Sequence, residues 1–161
     1  MKHISKKVLA GVLLLIISTN SYALCGIAES KRSLNQGMLY ANMSDFNNAI
    51  RAFKASINCK KTSEAYSNLG VSYMQLGKNN LALDALQNAE KQDSRDAIVL
   101  YNLAAVHSIT GATDIALVYL DKALQNGFSH YDAIRFDPDL VEIRGEPEFR
   151  TILEKNKVFI Q

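Results

Sequence analysis

Three stretches of this chain keep the same spacing of small residues, and that register limits the fold more than any other feature. Gly37, Gly70 and Ala104 stand 33 and 34 residues apart, and so do Ala49, Ala82 and Ala116. Tyr40, Tyr73 and His107 share the register, as do Phe53, Leu86 and Leu120, and Ser56, Ala89 and Ala123. A break falls at the same place in each unit, at Met43-Ser44-Asp45, Gly77-Lys78-Asn79 and Gly111-Ala112-Thr113. Within YSNLGVSYMQLG, Tyr66, Leu69, Tyr73 and Leu76 recur at three and four, which is helical spacing. Each unit therefore reads as two amphipathic helices joined by a short turn, with boundaries near 30–62, 63–96 and 97–130. Neither helix of a pair can bury its apolar face alone, so the units stack and share one elongated core.

Gly70 lies in mid-helix, where glycine costs about 1 kcal/mol relative to alanine. That cost is acceptable where two helices cross closely. Gly70 is expected to face Ala82, and Gly37 to face Ala49, with the larger Leu, Tyr and Phe residues filling the space between units.

In these residues the chain resembles the tetratricopeptide repeat family. The middle unit carries the signature positions as Tyr66, Leu69, Gly70, Tyr73, Ala82, Leu86 and Ala89, and the resemblance covers roughly residues 30 to 130. It departs where the family usually has proline near the end of each unit, here Lys61, Ser94 and Phe128. It departs again at Ser33 and Gln36, where large apolar residues are usual. The implied fold is all-α: a right-handed solenoid of three helix-turn-helix repeats with C-terminal capping helices. Residues 131–161 break the register and contain both prolines. Asp137-Pro138 and Glu146-Pro147 read as helix starts with proline at the first position. Two or three short helices there would cover the exposed apolar end of the solenoid, as similar tails do in many members of the family. The sequence leaves open whether the terminal NKVFIQ packs or frays.

The N-terminus has a different character. MKHISKK is followed by VLAGVLLLII and then by STNSYA: a basic region, a short apolar run and small residues, the layout of a secretory signal. The apolar run is about half the length needed to span a bilayer as a helix. Cleavage after Ala23 would remove residues 1–23, leave 24–29 as an N-terminal segment, and export the rest to a bacterial periplasm. The remaining chain carries 15 basic and 16 acidic residues, which gives no reason to expect nucleic acid as a partner. A competing reading places a lipid on Cys25, which would give peripheral membrane association, although Tyr22 and Leu24 depart from the lipoprotein pattern.

Cys25 precedes the first helix of the first unit and Cys59 ends the second. Antiparallel helices bring those points together, and two cysteines in an exported chain are more often paired than free. A disulfide there would clamp the first unit, and it excludes lipidation of Cys25.

Little in the remaining sequence points to chemistry. His107 stands where the other units have tyrosine, as a packed structural residue, and His130 has no cysteine or second histidine near it. Gly37, Gly70, Gly77 and Gly111 are accounted for by packing and turns, and Asp137-Pro138-Asp139 reads as a cap. No cofactor, metal or small-molecule substrate is expected, and no enzymatic activity. The expected working surface is the concave face, lined by the first helix of each unit. Lys31, Leu34, Asn35, Met38 and Asn42 would face it from the first unit, and Glu64, Ser67, Asn68, Val71 and Gln75 from the second. The third would add Ile98, Tyr101, Asn102, Ala105 and Ile109. Asn35, Asn68 and Asn102 recur, and an amide offers donors and an acceptor to an extended peptide backbone. Some relatives grip a C-terminal carboxylate with Lys and Arg. The matching positions here are Leu34, Met38, Ile98 and Asn102, so the resemblance does not imply that mode. The expected function is an adaptor that binds a peptide or helix of another envelope protein, in assembly of a pilus, secretion or outer-membrane complex. Two alternatives are a lipid-anchored assembly chaperone and an accessory subunit of an envelope enzyme.

Overall fold

A computed structural model of the protein describes residues 25–158. The export signal read at residues 1–23 lies outside the described residues. The described chain is helical: α1 (Ile27–Asn42), α2 (Phe46–Cys59), α3 (Ser63–Gln75), α4 (Asn79–Gln92), α5 (Ala97–Ile109) and α6 (Thr113–Gln125) form three antiparallel pairs. They are followed by α7 (Tyr131–Phe136), a 3-10 turn (Pro138–Leu140), α8 (Val141–Arg144) and α9 (Pro147–Lys155). The pairs stack, with α2 against α3 and α4 against α5, while α8, α9 and the 3-10 turn close over α5 and α6. α1 starts at Ile27, inside the segment 24–29 that the sequence leaves as a lead-in.

The local signals for these helices are conventional. Asp45, Thr62 and Asp96 accept hydrogen bonds from the first free backbone N–H groups of α2, α3 and α5. Pro138 and Pro147 occupy first helical positions, where their missing N–H costs nothing. The turn within each pair contains one residue in the left-handed region: Ser44 (φ 57°), Gly77 (φ 66°) and Gly111 (φ 75°). Glycine tolerates that region without strain; Ser44 does not.

The two mid-helix glycines are packing residues, but their partners differ from the expected ones. A Cβ on Gly37 would lie 2.4 Å from the Phe53 ring, and one on Gly70 would lie 2.6 Å from Cγ of Leu86. The alanine expected opposite Gly70 contributes only its carbonyl oxygen, at 3.3 Å, and Ala49 is not among the nearest atoms to Gly37. Phe53 and Leu86 are fully buried and fill the hollow within their own unit. The backbone of Ala82 thus passes close to Gly70 as expected, and the large side chain one helical turn further on, Phe53 or Leu86, enters the notch left by each glycine.

The core has two lobes that meet at α5. Val99, Leu103 and Val106 pack with the first two units, whereas Leu100, Tyr101, Ala104 and Ala105 pack with α6 and the C-terminal helices. Val158 is buried in the second lobe, so the chain packs at least that far beyond α9. A disulfide joins Cys25 to Cys59, with the Cα atoms 4.9 Å apart. Beside it Ser30 Oγ donates to the Ser56 carbonyl at 3.1 Å, tying the start of α1 to the end of α2.

Candidate peptide-binding groove

The first helices of the pairs, α1, α3 and α5, lie side by side and form one face. Their packing decides which of the residues picked out from the sequence remain available. Leu34, Ser67 and Tyr101 occupy equivalent places, and each place borders the next element along the solenoid. Asn102 of α5 reaches back to donate its Nδ2 to Ser67 Oγ at 3.1 Å. Among the described residues no fourth unit lies beside Tyr101, and the C-terminal segment takes that position. Its hydroxyl donates to Asp137 Oδ2 at 2.8 Å, and its ring stacks on Phe128 with centroids 4.2 Å apart. Burial first, and then the hydrogen bond to Asp137, holds the Tyr101 phenol far above its usual pKa, so it stays a neutral donor.

The expected groove is corrected accordingly. Leu34, Tyr101 and Ala105 are 8%, 6% and 2% exposed and belong to the core. Asn68 is half-buried and donates to the Glu64 carbonyl of its own helix at 2.9 Å, while the Asn102 amide is committed to Ser67. The three asparagines therefore do not act as one ladder; Asn35 alone is exposed. The accessible row runs from Asn35 and Met38 through Val71 and Gln75 to Ile98 and Ile109. A signal for the correction lies in α5 itself. AIVLYNLAAVHSI is apolar on every side, the mark of a helix covered on both faces rather than one bordering a groove.

A crevice of about 210 Å³ opens at the first-unit end of this face, lined by Ser30, Lys31, Leu34, Asn35, Lys60 and Glu64 among others. A second, of about 300 Å³, occupies the corresponding place in the third unit, beside Asp96, Ile98, Phe128 and His130. Both form where the loop leaving a unit passes the start of a first helix. Lys60 and Ile27 of the first crevice lie outside the sequence pattern: Lys60 is a loop residue without periodicity, and Ile27 opens α1 ahead of the first unit's repeat register. His130 is exposed and meets Phe128 edge-on at 5.4 Å. His107 is half-buried and stacked on Tyr119 at 5.6 Å; burial lowers its pKa, opposed by the charge of Glu90. Among the described residues no cluster of three or more His, Cys, Asp or Glu side chains is placed to hold a metal ion. No described helix is long and apolar enough to cross a membrane.

Comparison with known proteins agrees with this geometry. The tetratricopeptide repeat model matches residues 32–61 and 63–96. Over 89 residues the chain is 26% identical to a chloroplastic protein of Arabidopsis thaliana, an alignment covering 53% of this chain and 27% of that protein. The chain thus spans about a quarter of the length of the curated relative it matches. Among solved structures, the TPR2B domain of yeast Sti1 in its pHsp70 complex superposes with a TM-score of 0.62 at 18% identity, covering 81% of this chain and 97% of that one. The first TPR of Spaghetti (RPAP3), bound to the HSP90 peptide SRMEEVD, gives 0.62 at 12% identity, covering 81% and 91%. MamA gives 0.60 at 21% identity, covering 81% of each chain. The family match thus identifies residues 32–61 and 63–96 as tetratricopeptide repeats, and the three stacked helix pairs share the tetratricopeptide-repeat fold.

Proposed function

We propose that the protein is a non-enzymatic adaptor, exported to a bacterial cell envelope, that binds an extended peptide or helix of another envelope protein along α1, α3 and α5. The observation that carries this reading is the accessible, mixed row of Asn35, Met38, Val71, Gln75 and Ile98 on three adjacent helices. Apolar side chains bordered by amides suit a segment that brings its own side chains and backbone polar groups. One solved neighbour of the same fold holds an HSP90 peptide and another is in a pHsp70 complex, which supports a groove of this kind. The disulfide supports export, because such bonds persist in oxidising compartments. It also disfavours the lipid-anchored alternative, which needs the Cys25 thiol.

Two measurements test the reading. Affinity purification from the envelope should recover the same partner with wild type and lose it with Met38→Glu combined with Gln75→Ala; equal recovery would refute the groove. The mass of the mature chain should correspond to a start at Leu24 with the disulfide intact. A chain that retains residues 1–23, or an acylated Cys25, would refute the export reading as stated.

A further inference from the structure

The two ends of the stack are finished differently. On α5, Val99, Leu103 and Val106 pack back onto the preceding units. Their counterparts in the repeat register of α1 are Arg32, Gln36 and Leu39, and Met43 continues the same side of the helix into the turn. A terminal repeat that faces water is polar on its outer side, and Arg32 and Gln36 meet that requirement. Leu39 and Met43 do not: they are 57% and 75% exposed, although Ser72 and Val106, which align with Leu39, are buried. The outer side of α1 is therefore half cap and half unpartnered packing face. At the far end the closing segment buries Ile134, Leu140 and Ile143 completely and presents Phe136 and Val141 outward, each more than half exposed. Between residues 131 and 142 that segment carries Asp132, Asp137, Asp139 and Glu142 against Arg135 alone, a net charge of −3. Among the described residues the salt bridges are Arg32–Glu29 and Lys155–Asp121, so none of these four carboxylates is in one. The first unit, residues 25–62, carries six Lys and Arg against Glu29 and Asp45, a net charge of +4.

We infer that the outer side of α1 in one copy seats on the C-terminal segment of a second copy, so that the chain stacks head to tail. Leu39 and Met43 leave water against Phe136 and Val141, and the opposite net charges of the joined ends attract. Pairing like ends would bring together two basic first units or two acidic segments, which repel, so the mixed joint is the favoured one. A joint between two different patches leaves one free head and one free tail on every assembly. Growth past a dimer follows, as an open stack or as a ring if the rotation closes. The joint uses a different side of α1 from the groove residues Asn35 and Met38, and the inference does not rest on the groove reading.

Sedimentation velocity of the mature, disulfide-bonded chain over a range of concentrations tests this. Wild type should associate past a dimer as concentration rises, and added salt should weaken the association. Leu39→Gln with Met43→Gln should be monomeric, and so should Phe136→Gln with Val141→Gln. All four side chains are exposed, so both variants should keep the wild-type thermal midpoint. Mixed together, the two variants should form a one-to-one dimer that grows no further, because one supplies an intact tail and the other an intact head. Asp132→Asn with Glu142→Asn, which removes charge and no apolar surface, should weaken association roughly three- to tenfold at low salt. A wild type that stays monomeric at every concentration would overturn the inference and leave the groove reading untouched. A dimer formed by the Phe136/Val141 variant alone would overturn it too, since that is a pair of like ends. So would a mixture of the two variants that remains monomeric.

Discussion

At Gly37 and Gly70 a helix accepts the residue that favours it least because Phe53 and Leu86 lie where a Cβ would be. Gly70→Ala gains about 1 kcal/mol of helix propensity but must displace a fully buried leucine, and overpacking of this sort costs about 1–3 kcal/mol. We expect Gly37→Ala and Gly70→Ala to lower stability in denaturant unfolding, and Leu86→Val to recover part of the loss in Gly70→Ala. The repeat register shows that these glycines serve packing. It does not show which side chain enters the notch, because that depends on how far the partner helix slides along its axis. Ser44 carries the opposite lesson. Its left-handed backbone matches Gly77 and Gly111 in the other turns, so Ser44→Gly should raise stability by about 0.5–1 kcal/mol in the same assay.

Helices here are held by a few fixed points. The disulfide closes a loop of 34 residues, for which the chain-entropy account gives about 3–4 kcal/mol. Reduction, or Cys25→Ser with Cys59→Ser, should lower the thermal midpoint and weaken amide protection chiefly in α1. At the other end, α9 is tied to α6 through Asp121, which accepts hydrogen bonds from Lys155 at 2.7 Å and Asn156 at 2.8 Å. Burial alone would raise the Asp121 pKa, but the hydrogen bonds from Lys155, Asn156 and Gln125 and the lysine charge bring it below the usual value. A depressed carboxylate stabilises the fold above its unfolded pKa, and the gain is lost as pH falls through the lower folded value. Amide protection in α9, corrected for intrinsic exchange, should therefore fall on the acid side of the ordinary carboxylate range. Asp121→Asn should flatten that response. The prolines and the 131–161 register break make capping helices legible in the sequence. The Asp121 anchor is not legible, since it joins residues 34 and 35 positions apart on elements with no shared period.

Taken whole, the molecule is a short stack whose two ends differ, and that difference accounts for what the sequence left unread. Arg32 and Gln36 align with Ala65 and Leu69 and with Val99 and Leu103, which are buried against a preceding unit. The first unit has no described unit before it, and these two polar residues are exposed. The apparent mismatch of Gln36 to the family pattern is thus the mark of an end repeat. At the far end the C-terminal segment occupies the place of a further first helix, and it takes Tyr101 and Ala105 out of the groove. Periodicity identifies the face of a helix but not where a stack stops, so by itself it extends the groove over the third unit. What remains open is centred on α1 and α3, and the proposed function depends on partner binding there. Chemical-shift mapping of the isotope-labelled protein against a library-selected peptide tests this most directly. Perturbations should cluster at Asn35, Met38, Val71 and Gln75 and leave Arg51, Leu81 and Val118 unmoved. Perturbations confined to α2, α4 and α6 would contradict binding in the groove.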